Sequence, residues 1–169
     1  IQLARWAGAQ VAATVSSAAK GSLATAAGAH HVIDYTGAGA AEAVREVFPE
    51  GAHLIVEVAP AVNAALDTAV IAPDGTVAFY ANNGGDQVQL AVRQVMAANT
   101  AWAGMLLYTM AERHKAHAVT DVSLAVAAGA LKVGEQHGLP LHRYRLDQAG
   151  QAHDAVEGGA IGKVLIDVP

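Results

Sequence analysis

The residues best suited to chemistry in this 169-residue chain stand where short apolar runs end. Residues 14–20 read TVSSAAK, so two hydroxyls, Ser16 and Ser17, precede an ammonium group, Lys20, by about one helical turn. Small neutral hydroxyls followed by a cation suit an anion of high charge density, above all a phosphoryl group. The hydroxyls donate, the first turn of a helix adds partial positive charge, and the ammonium makes a charge-assisted bond. The competing reading is a serine-capped helix with a solvated lysine. Tyr35 ends the next apolar run and offers a flat face with one hydroxyl, or else it closes the core at a strand end. Val58 and Ala59 follow a third run, and Tyr80, Asn82 and Asn83 follow a fourth. The two asparagines can hydrogen-bond a ligand or form an ordinary turn. Glu57 is either a ligand contact or a plain strand-end carboxylate.

These positions acquire meaning from the elements that carry them. Short β-branched runs alternate with alanine-rich stretches of helical length, the pattern of βα units around a parallel sheet buried on both faces. Residues 1–9 predict a helix, with Leu3, Trp6 and Ala7 on one face and Gly8 at its break. Strands are predicted at 11–15, 31–34, 54–58 and 76–80, the last entered through the turn Pro73, Asp74, Gly75. Helices are predicted from Ser17 towards Gly28, over 41–48, over 63–71 with Ala64, Leu66 and Val70 inward, and over 88–98. Residues 102–108 (WAGMLLY), from Trp102 to Tyr108, predict a fifth strand at the sheet edge, and 112–131 a long helix. The last forty or so residues read as a strand at 141–146, a helix at 148–157 and a strand at 162–168. The fold class is therefore α/β, a Rossmann-type doubly wound parallel sheet, in which ligands lie at the carboxyl ends of the strands.

Composition narrows the function classes. The length suggests one folding unit. With 53% apolar and 15% charged residues the chain belongs to the globular class. Its formal charge of −5 comes from scattered residues without a basic stripe, which argues against nucleic acid as a partner. No apolar run reaches the roughly 18 to 20 residues of a membrane span, and no basic region opens a secretory signal; a cytoplasmic protein without a membrane partner is expected. There is no cysteine, hence no disulfide and no thiolate metal site. His114 and His117 share a helix face without a third ligand, and His30 and His31 are adjacent, so no metal is expected. Because 102–108 is apolar and unguarded by lysine or proline, the edge it forms predicts a homodimer.

Taken in order, residues 14–20, 28–35, 57–60, 73–77 and 162–166 resemble the cofactor domain of the medium-chain dehydrogenase/reductase superfamily, in its zinc-free quinone oxidoreductase branch. The resemblance implies a dinucleotide cofactor, NADPH, with Ser17 and Lys20 on its 2′-phosphate and Tyr35 against the adenosine side. NAD-binding relatives of this fold carry an acid after the equivalent strand, where Ser16 and Ser17 stand here. It implies a nicotinamide half near Val58, Ala59, Tyr80, Asn82 and Asn83, although Ala59-Pro60 and Tyr80-Ala81 replace the family's Val-Gly and glycine and add bulk. It further implies that the family's first strand and glycine-rich loop would precede Ile1. On that reading residues 1–132 form the NADPH-binding domain, residues 133–169 a return segment of a catalytic domain, and the chain alone is inactive. The activity implied is hydride transfer to a small-molecule electron acceptor, a quinone or enone; an enoyl reductase is the near variant. A nucleotide-binding sensor without turnover is the alternative from another class, and a Rossmann-type methyltransferase a third.

Overall fold

A computed structural model describes residues 1–169. Where length suggests one folding unit, the chain divides into two compact units, Ile1–Thr36 with Asp121–Pro169, and Gly37–Thr120. The reason is visible in the ladders: every strand pair is parallel, but the strands form separate sheets with orders β1-β2, β3-β4-β5 and β6-β7.

The first unit opens on helix α1 (Gln2–Trp6), strand β1 (Ala12–Val15), helix α2 (Ala18–Ala26) and strand β2 (His31–Asp34). β1 and β2 pair in register from Ala12 opposite His31 to Val15 opposite Asp34. Helix α2 buries Gly21 and Ala24, and a Cβ on Gly21 would stand 3.3 Å from Val32 and 3.8 Å from Val15. The missing side chain lets the helix backbone lie close on the strands, with Val15 buried beneath it, while Ile33 is buried on the other face. After Asp121 the unit continues through the end of helix α6 (Glu112–Ala127), strand β6 (Leu141–Arg145), helix α7 (Ala149–Glu157) and strand β7 (Lys163–Asp167). Helix α6 stops short of the predicted residue 131 because Gly129 takes a left-handed φ of 66° while Ala130 N–H bonds back to Ala125 O, a glycine stop.

The second unit holds helix α3 (Ala40–Val47), strand β3 (Ala52–Glu57), helix α4 (Pro60–Val70), strand β4 (Ile71–Phe79), helix α5 (Val92–Ala97) and strand β5 (Ala101–Gly104). Helix α4 starts before the predicted residue 63, with Pro60 at its first position, where the lost N–H costs nothing. Its buried face is Pro60, Ala64, Asp67 and Val70; the predicted Leu66 is only half-buried, and a carboxylate occupies the inward place. The predicted turn at 73–75 lies within β4 as an irregularity: Ala52 faces Ile71 but Leu54 faces Thr76, and Asp74 takes φ 59°. Val77, opposite Ile55, is the fully buried centre of this unit.

Three expectations fail here for stated reasons. The strand predicted at 102–108 ends at Gly104, because β4 ends at Phe79 and Met105 N–H on Phe79 O makes the last bond; residues 107–109 turn into a short 3-10 helix. The helix predicted at 88–98 begins only at Val92, with no side chain capping it. The sheet is not buried on both faces: Leu54 and Val56, alternate residues on one side of β3, are 60% and 63% exposed.

Candidate functional site

In the first unit the turn from β1 into α2 is built by Ser17. Its extended backbone (φ −164°, ψ 158°) marks the residue before the helix, and its Oγ accepts a bond of 3.3 Å from Lys20 N–H. That bond satisfies one of the orphan amides of α2 and still leaves the hydroxyl hydrogen free to donate. One turn on, the Lys20 ammonium donates to Ser16 Oγ at 2.9 Å. An ammonium has three donors, so two remain.

Beside this turn lies an open cavity of about 400 Å³, lined by Thr14, Ser16, Lys20 and Tyr35 at its polar positions and by Val15, Leu23 and Leu139 among its apolar ones. Three of the predicted residues, Ser16, Lys20 and Tyr35, thus share one cavity. Ser17 does not line it and acts as the cap. Tyr35 is held by its backbone N–H on Val15 O at 3.1 Å, and its side chain is exposed. The preceding Asp34 accepts from both the hydroxyl and the backbone N–H of Thr36, at 2.7 and 2.9 Å, which holds its carboxyl below the usual range. Sequence reasoning passed over this pair, although an aspartate two residues before a threonine is the signal for such a turn.

The second unit carries the other predicted residues. Glu57 proves to be a strand-end carboxylate: Oε1 accepts from Val58 N–H (2.7 Å) and Ala59 N–H (2.6 Å), and both oxygens accept from the Asn63 amide (3.2 and 3.1 Å). An internal anion therefore sits on the amides leading into α4. The loops after β3 and β4 are tied together by Asn83 N–H on Val58 O at 3.0 Å and Tyr80 N–H on Glu57 O at 3.4 Å. Val58, Ala59, Tyr80 and Asn83 are brought together in this way, with the Tyr80 side chain 57% exposed. The Asn82 amide is already engaged by Asp86. Asp67 was missed altogether. It is 3% exposed, its Oδ2 has no partner, and burial, reinforced by the nearby Glu57 charge, pushes its carboxyl up to about 7.

Parallel βα units with a hydroxyl-and-ammonium turn at the end of a strand define the class, an α/β nucleotide-binding domain of the Rossmann kind. The zinc-binding dehydrogenase family matches residues 1–125, and the chain belongs to that family, within the medium-chain dehydrogenase/reductase superfamily. No curated protein matches the chain by sequence. Among solved structures it is similar to an NAD-dependent alcohol dehydrogenase at 25% identity, covering 99% of this chain and 46% of that one with a TM-score of 0.82. A mycobacterial protein complexed with NADPH matches at 26% identity over 99% of this chain and 51% of its own, TM-score 0.77. A quinone oxidoreductase of Pseudomonas syringae shares the fold at 22% identity, 99% and 51% coverage, TM-score 0.80. The chain thus spans about half the length of these relatives.

The groups implied by the family can be tested against the side chains. With no cysteine, and no three His, Asp or Glu side chains gathered together, these residues do not fit a zinc centre. The cavity with Ser16, Lys20 and Tyr35 has the chemistry to meet an anionic, aromatic group such as one end of a dinucleotide: a cation with two free donors, hydroxyls and an aromatic face. No helix is long and apolar enough to cross a membrane.

Proposed function

We propose that this chain is the cofactor-binding part of an NADPH-dependent oxidoreductase of the quinone reductase type, which passes hydride to a quinone, enone or similar small-molecule acceptor. The observation that carries the reading is the Lys20 ammonium held by Ser16 Oγ at the cavity that Tyr35 also lines. An anionic group there meets a cation already oriented, whereas a free ribose 2′-hydroxyl would leave that cation unpaired. The similar mycobacterial protein complexed with NADPH supports the same choice, and the similar NAD-dependent alcohol dehydrogenase stands for the other.

In this reading Ser16 and Lys20 hold the 2′-phosphate, Ser17 caps the helix that carries Lys20, and Tyr35 takes the adenosine side, while the family resemblance assigns the loops with Val58, Ala59, Tyr80 and Asn83 to the nicotinamide half. NADPH supplies the hydride; the chain's residues bind and orient it. We assign no catalytic residue within residues 1–169, read 133–169 as the return segment to a catalytic domain, expect no turnover from the chain alone, and expect the protein in the reducing cytoplasm.

Titration of the intact protein with NADPH and NADH, repeated on Lys20→Ala, tests the reading. NADPH preference should shrink about tenfold or more, at least about 1.4 kcal/mol. Equal binding of both nucleotides by the unaltered protein would overturn it. The bulk of Ala59-Pro60 and Tyr80, in the loops assigned to the nicotinamide half, favours one second reading, a nucleotide-binding sensor without turnover. Tight NADPH binding without oxidation across a quinone panel would decide for the sensor. For the assembly we propose a homodimer through β5 and the segment after it, where Leu106, Leu107 and Tyr108 are 57%, 67% and 88% exposed. Sedimentation at micromolar concentration should give a dimer, and a monomer would refute it.

A further inference from the structure

Inside the second unit the Glu57–Asn63 hydrogen bonds connect the end of β3 with helix α4, and a buried Asp67 lies one turn further along that helix. Glu57 accepts the amides of Val58 and Ala59 and the side-chain amide of Asn63. Asp67 follows Asn63 by one helical turn on the same inward face, 97% withdrawn from solvent if its 3% exposure is taken as the remainder, with Oδ2 unpartnered. The cofactor reading leaves both carboxyls without a task. An unpaired carboxylate in such a place costs several kcal/mol unless it takes a proton, and a second negative charge beside Glu57 opposes the Glu57 hold on the turn.

The surroundings offer no compensating cation. Helix α4 packs on β3, β4 and α3. From β3 come Glu57 and the exposed His53; from β4 the exposed Asp74; from α3 Glu42 and Glu46, both exposed, and Arg45. The Arg45 guanidinium is spent on the carbonyl oxygens of Pro49, Ala69 and Ile71. Glu57 is the charge that acts on Asp67.

We propose that Glu57, Asn63 and Asp67 form a proton-operated clamp on the turn between β3 and α4. With Asp67 neutral, Glu57 grips the Val58 and Ala59 amides. When Asp67 gives its proton to water, the like charge weakens that grip and the turn opens more often. Opening relieves Asp67 of the Glu57 charge and so favours the ionised form, which couples opening to proton release. Opening therefore becomes easier as pH rises towards the Asp67 titration and is level beyond it. The clamp stands on contacts within the second unit and is independent of which nucleotide the first unit takes.

Amide hydrogen exchange of Val58 and Ala59 in the intact protein, corrected for intrinsic exchange rates, reads the clamp directly. Protection should fall about threefold or more between about pH 5.5 and about pH 7.5 and then level off, while the Tyr35 amide of the first unit stays flat. In Asp67→Asn the Val58 and Ala59 values should not depend on pH. Flat protection in the unaltered protein, or the same decline in Asp67→Asn, would overturn the proposal. Should that variant fail to fold, the carboxyl ¹³C shift of Asp67 in the unaltered protein serves instead. A midpoint near neutrality supports the clamp, and one near the ordinary aspartate value of about 3.9 sinks it.

Discussion

Replacing Asp67 with asparagine should turn a pH-dependent stability into a nearly pH-independent one. The carboxyl is 3% exposed, and burial, with Glu57 second, raises it from 3.8 to about 7. A shift of roughly three units at about 1.36 kcal/mol each puts about 4 kcal/mol into the folding equilibrium. The folded value lies above the unfolded one, so the folded state binds the proton more tightly. The stabilisation is complete below about pH 4, erodes as pH climbs, and is lost once pH passes about 7. Asparagine keeps the shape but cannot ionise, and its buried amide costs about 1 to 3 kcal/mol at every pH if it finds no partner. The absolute difference therefore mixes two effects, while its change with pH isolates the proton. Urea unfolding followed by the fluorescence of Trp102, which lies in the same unit as Asp67, measures it. Between about pH 4.5 and about pH 8 the stability difference should move in favour of Asp67→Asn by about 3 to 4 kcal/mol. A difference constant to within about 0.5 kcal/mol over that range would refute the reasoning.

Three further outcomes follow from the geometry. Ser17→Ala removes the cap of α2 and should cost about 1 kcal/mol in urea unfolding, with Ser17→Gly milder. Gly51→Ala meets a left-handed φ of 95° and would set its Cβ 2.6 Å from Ala72 N, a backbone atom that cannot step aside; thermal unfolding should register a loss of about 2 to 4 kcal/mol. Arg143→Ala breaks the ion pair with Asp167 at 2.6 Å, but side chains 57% and 48% exposed make it worth less than about 1 kcal/mol, and the midpoint should hardly move.

How much was legible in the sequence depends on how far each signal reaches along the chain. The strand at 31–34 and the helix opening after Ser17 appear as expected, because a β-branched run and a serine cap act over a few residues. The hydroxyls and ammonium of Ser16, Ser17 and Lys20 were readable for the same reason: one helical turn sets their spacing. Asp67 was not legible, because a polar residue in a helix is assigned outward: Ala64 and Val70 were placed inward as found, but with apolar Leu66 between them in the place that Asp67 takes.

By itself the sequence determined the order of βα units, the cap on α2 and the hydroxyl-ammonium turn, since local propensity and hydrogen bonds between near neighbours suffice for each. Only the tertiary structure decided where β5 stops, which carboxyl is buried and that Tyr35 shares a cavity with Lys20. Each of those depends on what a distant segment places alongside: a strand lasts as long as its partner, and a carboxyl holds its proton when packed elements exclude water from it.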